Sequence, residues 1–283
     1  MVRNILLLGG AALTLSACAS APVPLPERLV QPDGYSLVWA DEFNQDGLPD
    51  TTRWAYDTYR NADGWWNNEL QYYSANRAEN ARIEHGHLII EARKESEAIA
   101  AFPDSGGQDY TSARLLTAGR AAWQYGYIEV RAKLPCGRGL WPAIWTLPEG
   151  NAQWPDDGEI DIMEYVGWNA EEVHATVHTR DVNHTLGTNF GASYTLPTAC
   201  DEFHTYAMLW TEEEIVVAVD GTPYFLFPKQ NKGYGKWPFD RPHHLILNVA
   251  IGGWAGRDGI DLDAFPARME VDFVRVYQKA DGS

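Results

Sequence analysis

Apolar and polar residues alternate with a period of two in short stretches along this chain. In His87–Lys94, Leu88, Ile90 and Ala92 alternate with Ile89, Glu91 and Arg93; in Tyr127–Leu134, Ile128, Val130 and Ala132 alternate with Glu129, Arg131 and Lys133. Such alternation predicts half-buried β-strands. Glu214–Val219 runs into Asp220-Gly221, a hairpin signal, and continues in Tyr224–Phe227. His243–Ile251 and Met269–Tyr277 read as further strands, and no segment of a dozen residues carries a helical period. The pattern predicts an all-β domain, most economically an antiparallel β-sandwich.

One strand departs from simple alternation. Gly158-Glu159-Ile160-Asp161-Ile162-Met163-Glu164-Tyr165 sets three carboxylates inside an apolar run. Period two puts Glu159 and Asp161 on one face and sends Glu164 to the other. One extra residue between Asp161 and Glu164, a β-bulge, returns Glu164 to its partners' face, and bulges often re-aim side chains beside active sites. Acids on a central strand without nearby Lys or Arg are costly unless they serve a purpose. Two such glutamates brought to about 5–5.5 Å suit a retaining glycosidase. Asp161, shorter and placed between them, is positioned to hydrogen-bond one and tune the charge of the set.

Composition narrows the partners. The 283 residues hold 22 Lys plus Arg against 39 Asp plus Glu, a net charge of −17 that disfavours nucleic acid and anionic lipid. Twelve tryptophans exceed the needs of one core and suit stacking on sugar rings. Trp141 and Trp145 share a strand face, either as sugar platforms or as core. Trp65 and Trp66, near Asn61, Asp63 and Gly64, read as an exposed loop pair. Trp254 follows Gly252-Gly253, a pair that permits close backbone approach to a ligand. No zinc-type ligand spacing occurs, so no metal or other cofactor is expected in catalysis.

The N-terminus reads as an export signal. Arg3 precedes the apolar stretch Ile5–Leu15, too short to span a bilayer, and Leu15-Ser16-Ala17-Cys18 resembles a bacterial lipobox. Residues 1–17 are then a signal peptide and Cys18 the lipidation site. Residues 18–33, with Pro22, Pro24, Pro26 and Pro32, form a semi-rigid tether, and 34–283 form one catalytic domain. Ordinary secretory cleavage is the alternative. An exported, outer-membrane lipoprotein meets the membrane only through that anchor and is expected to be a monomer. Cys136 and Cys200 remain, either bridged or as two separate buried thiols.

Glu159-Ile-Asp161-Ile-Met-Glu164 resembles the active-site strand of glycoside hydrolase family sixteen, in its laminarinase-like branch. Trp39–Phe43, Asn67–Tyr73, Gly139–Trp145, Ala175–Thr179, Asn248–Gly253 and Val271–Tyr277 resemble that family's segments in the same order. The resemblance implies a jelly roll with a concave sugar-binding cleft, and a retaining endo-β-1,3-glucanase acting on laminarin-like glucans. In that scheme Glu159 is the nucleophile and Glu164 the acid/base. It places Asn68, Arg114, Trp141, Trp145, His178 and Trp254 at the substrate, with His178 near the acid/base. It also implies a structural Ca²⁺ on the convex side held by Glu42, the Gly86 carbonyl and Asp272. Mixed-linkage glucanase, galactan hydrolase or transglycosylase activity and a non-catalytic glucan-binding protein are the rival readings.

Overall fold

The structure, a computed structural model, describes residues 23–229 and 233–280. Two sheets face each other. One runs in the order Phe190–Thr195, Glu172–His178, Glu159–Tyr165, Leu140–Pro148, His243–Ile251, Arg114–Leu116 and Ala55–Tyr56. The other runs Thr222–Pro228, Glu214–Val219, His204–Trp210, Gly126–Lys133, Ala267–Lys279, His87–Lys94, Tyr110–Ser112 and Gln71–Tyr73. Tyr35–Asp41 joins it on Ala267–Lys279, and Ala81–Glu84 on His87–Lys94. Pairing is antiparallel except between Gln71–Tyr73 and Tyr110–Ser112, which run parallel. The fold is a jelly-roll sandwich, and the alternating segments are its strands. Asp220 and Gly221 both adopt positive φ at the predicted hairpin, the backbone that a tight two-residue turn requires.

A single apolar core fills the space between the sheets. Ile160, Ile162, Met163 and Tyr165 point into it, each with no exposed surface, opposite Met208, Ile215 and Val217. Each such side chain contributes about 1.5–3 kcal/mol by burial. Together they hold the strand's phase against the repulsion among the acids on its other face. That other face belongs to the outer, concave surface of the first sheet.

A smaller apolar cluster lies on the opposite side of the molecule. Leu29 packs with Tyr127, Ala207, Val216 and Ala218 on the outer face of the second sheet, and its amide donates to the Gly221 carbonyl at 2.9 Å. The expected tether over 18–33 is therefore docked at Leu29, because one apolar residue among its prolines finds an apolar patch. Lipidation at Cys18 and the signal peptide over 1–17 lie outside the described residues.

Cys136 and Cys200 form a disulfide, with Cα atoms 5.7 Å apart. It ties the turn after Gly126–Lys133 to the segment before His204–Trp210. The Tyr165 hydroxyl lies 3.3 Å from Cys136 Sγ and 3.7 Å from Cys200 Sγ. The bridge thus packs beneath the end of the strand that carries the acids.

Candidate active site

The bulge lies where the carboxylate spacing requires it. Against Glu172–His178, Glu159 pairs with His178, Asp161 with Thr176 and Glu164 with His174, with a register shift between Asp161 and Glu164. Against Leu140–Pro148 the shift falls between Asp161 and Met163. Ile162 and Met163 both enter the core, and the three acids share the concave face. Gly158 sets the entry to this strand: its φ is +97°, and a Cβ there would stand 2.8 Å from the Phe239 ring. Any other residue would push the loop, and Glu159 with it, out of place.

These acids line a cleft of about 670 Å³ together with Trp66, Arg114, Trp141, Trp145, Trp154 and Asn248. Each glutamate accepts an indole N–H: Trp154 Nε1 donates to Glu159 Oε2 at 2.9 Å, and Trp141 Nε1 to Glu164 Oε1 at 3.1 Å. Burial raises the pKa of Glu159, and the nearby charge of Glu164 adds to the rise; the Trp154 donor, Arg114 and Asp161 oppose it. Burial also raises Glu164, opposed by Trp141 and Thr176. Asp161 is raised well above the usual range by burial and then by its two anionic neighbours. Three acids in this space cannot all ionise at neutral pH. Asp161, held as the neutral acid, is placed to donate to Glu159 and stabilise its anion.

The cleft wall comes from distant segments. Arg114 pairs with Asp57 at 3.1 Å, and its guanidinium lies over Trp145 at 4.7 Å and Trp65 at 5.2 Å. Trp145 Nε1 donates to Asn248 Oδ1 at 2.7 Å, and Asn248 Nδ2 donates to the Tyr73 hydroxyl at 3.1 Å. Trp141 and Trp145 thus both stand on the open face, each with its N–H engaged by a polar partner.

Several expected positions shift. Asn68 is exposed and does not line the cleft; its neighbour Asn67 does. Both take positive φ, 58° and 59°, so the chain turns sharply there and presents one amide instead of the other. Trp65 is buried on Asn61 and Tyr73, and only Trp66 of the pair faces the cleft. His178 stands by Glu159 and Asp161, 3.8 Å and 3.4 Å away, because the register pairs it with Glu159. It is 7% exposed, and burial, then the neighbouring His184, pushes its pKa down to about 4. The residue opposite Glu164 is His174. Trp254 stands edge-on to Trp141 at 5.8 Å and is half-exposed beside the cleft. The approach that Gly253 permits is to the Trp141 ring, 2.9 Å from where a Cβ would sit.

The acids expected to hold calcium have arginine partners. Both Glu42 oxygens accept from Arg275, at 2.7 and 2.8 Å, and Asp272 accepts from Arg131 at 2.6 Å. Asp272 Oδ1 takes no guanidinium and lies 3.8 Å from His87 Nε2. Gly86 sits in a tight turn at φ +80°.

Trp154, Asn67, Asn248, Tyr59, Glu69 and His184 also line the cleft, and the sequence pattern singles out none of them as a site residue. Trp154 carried a signal: a tryptophan five residues before the first acid of the trio.

A family model described as "Glycosyl hydrolases family 16" matches residues 68–275. A beta-glucanase of Rhodothermus marinus is 52% identical over 254 residues, covering 86% of this chain and 85% of that one. Two other curated relatives are longer, and the chain spans 35% and 38% of them. Among solved structures, SCLam, described as a non-specific endo-beta-1,3(4)-glucanase from family GH16, is 54% identical with a TM-score of 0.86, covering 89% of this chain and 94% of that one. The laminarinase from Rhodothermus marinus is 51% identical with a TM-score of 0.81, covering 87% and 98%.

Proposed function

The chain belongs to glycosyl hydrolases family 16, and from that premise we propose that it is a retaining endo-β-glucanase cutting β-1,3 linkages in laminarin-like glucans. The observation that carries this reading is the bulge that brings Glu164 onto the face of Glu159 and Asp161 inside an aromatic cleft. Glu159, its anion favoured by Trp154 and Asp161, attacks the anomeric carbon. Glu164 gives its proton to the departing glycosidic oxygen as the C–O bond breaks. Glu164, now anionic, takes a proton from water, and the resulting hydroxide displaces Glu159 with net retention. No step needs a metal or an organic cofactor.

The assignment of roles is tested by azide rescue. On a β-glucoside with an activated leaving group, Glu164→Ala with azide should give the β-glycosyl azide, and Glu159→Ala the α-azide. NMR of the anomeric centre distinguishes them, and the opposite pairing would exchange the roles. Mixed-linkage cleavage is a second reading, favoured by the 54% identity to a glucanase described as non-specific for 1,3(4) linkages. Product profiles on laminarin and lichenan side by side separate the two.

Lipidation at Cys18 and export to the outer membrane belong to the same proposal, supported by Leu15-Ser16-Ala17-Cys18 behind an apolar run. In that reading the domain works as a monomer on neutral glucan. Cys18→Ala should release active protein from the membrane fraction; retention without acylation would overturn the anchor.

A further inference from the structure

We propose that Glu159, Asp161 and His178 form a binding site for one Zn²⁺ ion, which blocks the nucleophile. Among the described residues, this is the one group of three such side chains whose ligand atoms all lie within 4.8 Å of one another. His178 Nε2 is 3.4 Å from Asp161 Oδ2 and 3.8 Å from Glu159 Oε1. Zn²⁺ binds imidazole nitrogen and carboxylate oxygen at about 2.0–2.2 Å, so neighbouring ligands of a tetrahedral site stand roughly 3.3–3.5 Å apart. The apo spacing already approaches that geometry.

Burial supplies the second argument. Asp161 is 3% exposed, and its Oδ2 points toward His178 with no hydrogen-bond partner. That buried oxygen lacks a partner, and an ion that displaces the Asp161 proton would supply one. The three ligands come from two paired strands, with Glu159 in register with His178, so binding orders little new backbone. A bound ion would engage Glu159 Oε1 and prevent its attack. Calcium does not suit the site, because it requires more oxygen ligands than the three residues offer.

Metal binding is measured directly, so the outcome does not depend on the glycosidase assignment. Full-length protein is stripped with EDTA, dialysed and titrated calorimetrically with ZnCl2. One zinc per chain is expected. His178→Gln and Asp161→Asn should each weaken binding by roughly tenfold or more, and CaCl2 should give no heat at this site. Crystals of the wild-type protein with zinc should show an anomalous peak between the three side chains. An ion located elsewhere, no zinc bound, or undiminished binding in both variants would each overturn the site. The wild-type peak decides the matter even if a variant does not fold.

Discussion

The indole N–H of Trp154 sets how easily Glu159 becomes an anion, and it comes from a loop instead of the strand. Hydrogen bonds to charged groups contribute about 1.5–3 kcal/mol, so Trp154→Phe should lower kcat/KM by about 10–100-fold while keeping the ring. Losing a donor to the anion raises the Glu159 pKa further, so the acidic limb of the pH–kcat/KM profile should move upward. An unmoved limb would leave Trp154 with a packing role only. Asp161→Asn should fold, and should lose less activity than Glu159→Ala, because it tunes the nucleophile without bonding to the sugar; equal losses would give Asp161 a direct role. The trio was legible because its signal is local, three acids in six apolar-flanked residues. Asn248 and Arg114 meet only through sheet pairing, Trp154 arrives on a loop, and the orientation of Asn67 over Asn68 rests on two positive φ angles that residue type alone does not fix.

The bulge makes the active strand a counting device. Face alternates with each residue, so removing the bulged residue leaves Glu164 in phase with Asp161 on a regular strand, whereas adding one while the bulge is kept turns it toward the core. Deleting Met163 should therefore cost less activity than inserting an alanine after it. The insertion should match Glu164→Ala in activity on laminarin and also lower the melting temperature, since it directs a carboxyl into an apolar core. Equal activity in the two length variants would mean that the phase is set elsewhere. At this scale the sequence was informative: His87–Lys94, Glu214–Val219 and His243–Ile251 occupy the spans that alternation predicted. Alternation failed where both faces are covered. Ile89 and Glu91, expected outward, are 3% and 5% exposed, Glu91 lying beneath Arg82 and Arg93.

The whole molecule carries a cost for its active site. Folding raises the pKa of Glu159, Asp161 and Glu164, so between about pH 4 and pH 8 the folded state holds more protons than the unfolded chain. Stability then falls as pH rises through that window. Glu159→Gln should melt higher than wild type near pH 8, by ~2–4 °C per kcal/mol of relieved repulsion, with the gap closing near pH 4. A constant gap would point to packing instead of charge. The disulfide offsets part of the cost. It spans 64 residues that include the catalytic strand, so Cys136→Ser with Cys200→Ser should remove about 2–4 kcal/mol, read as a lower melting temperature at unchanged linkage specificity. The convex side was the least legible part. Arg275 and Arg131 claim the acids expected for calcium, and Leu29 binds a patch made by three separate strands. That last contact fixes how the molecule is presented. Leu29 sits on the far side of the sandwich from the acids, so whatever grips the chain upstream grips it from behind. With the anchor proposed at Cys18, the leash would be the residues between it and Leu29, about 3 Å of reach for each. An enzyme so anchored would face outward, and a long glucan could lie across its mouth without striking the anchoring surface.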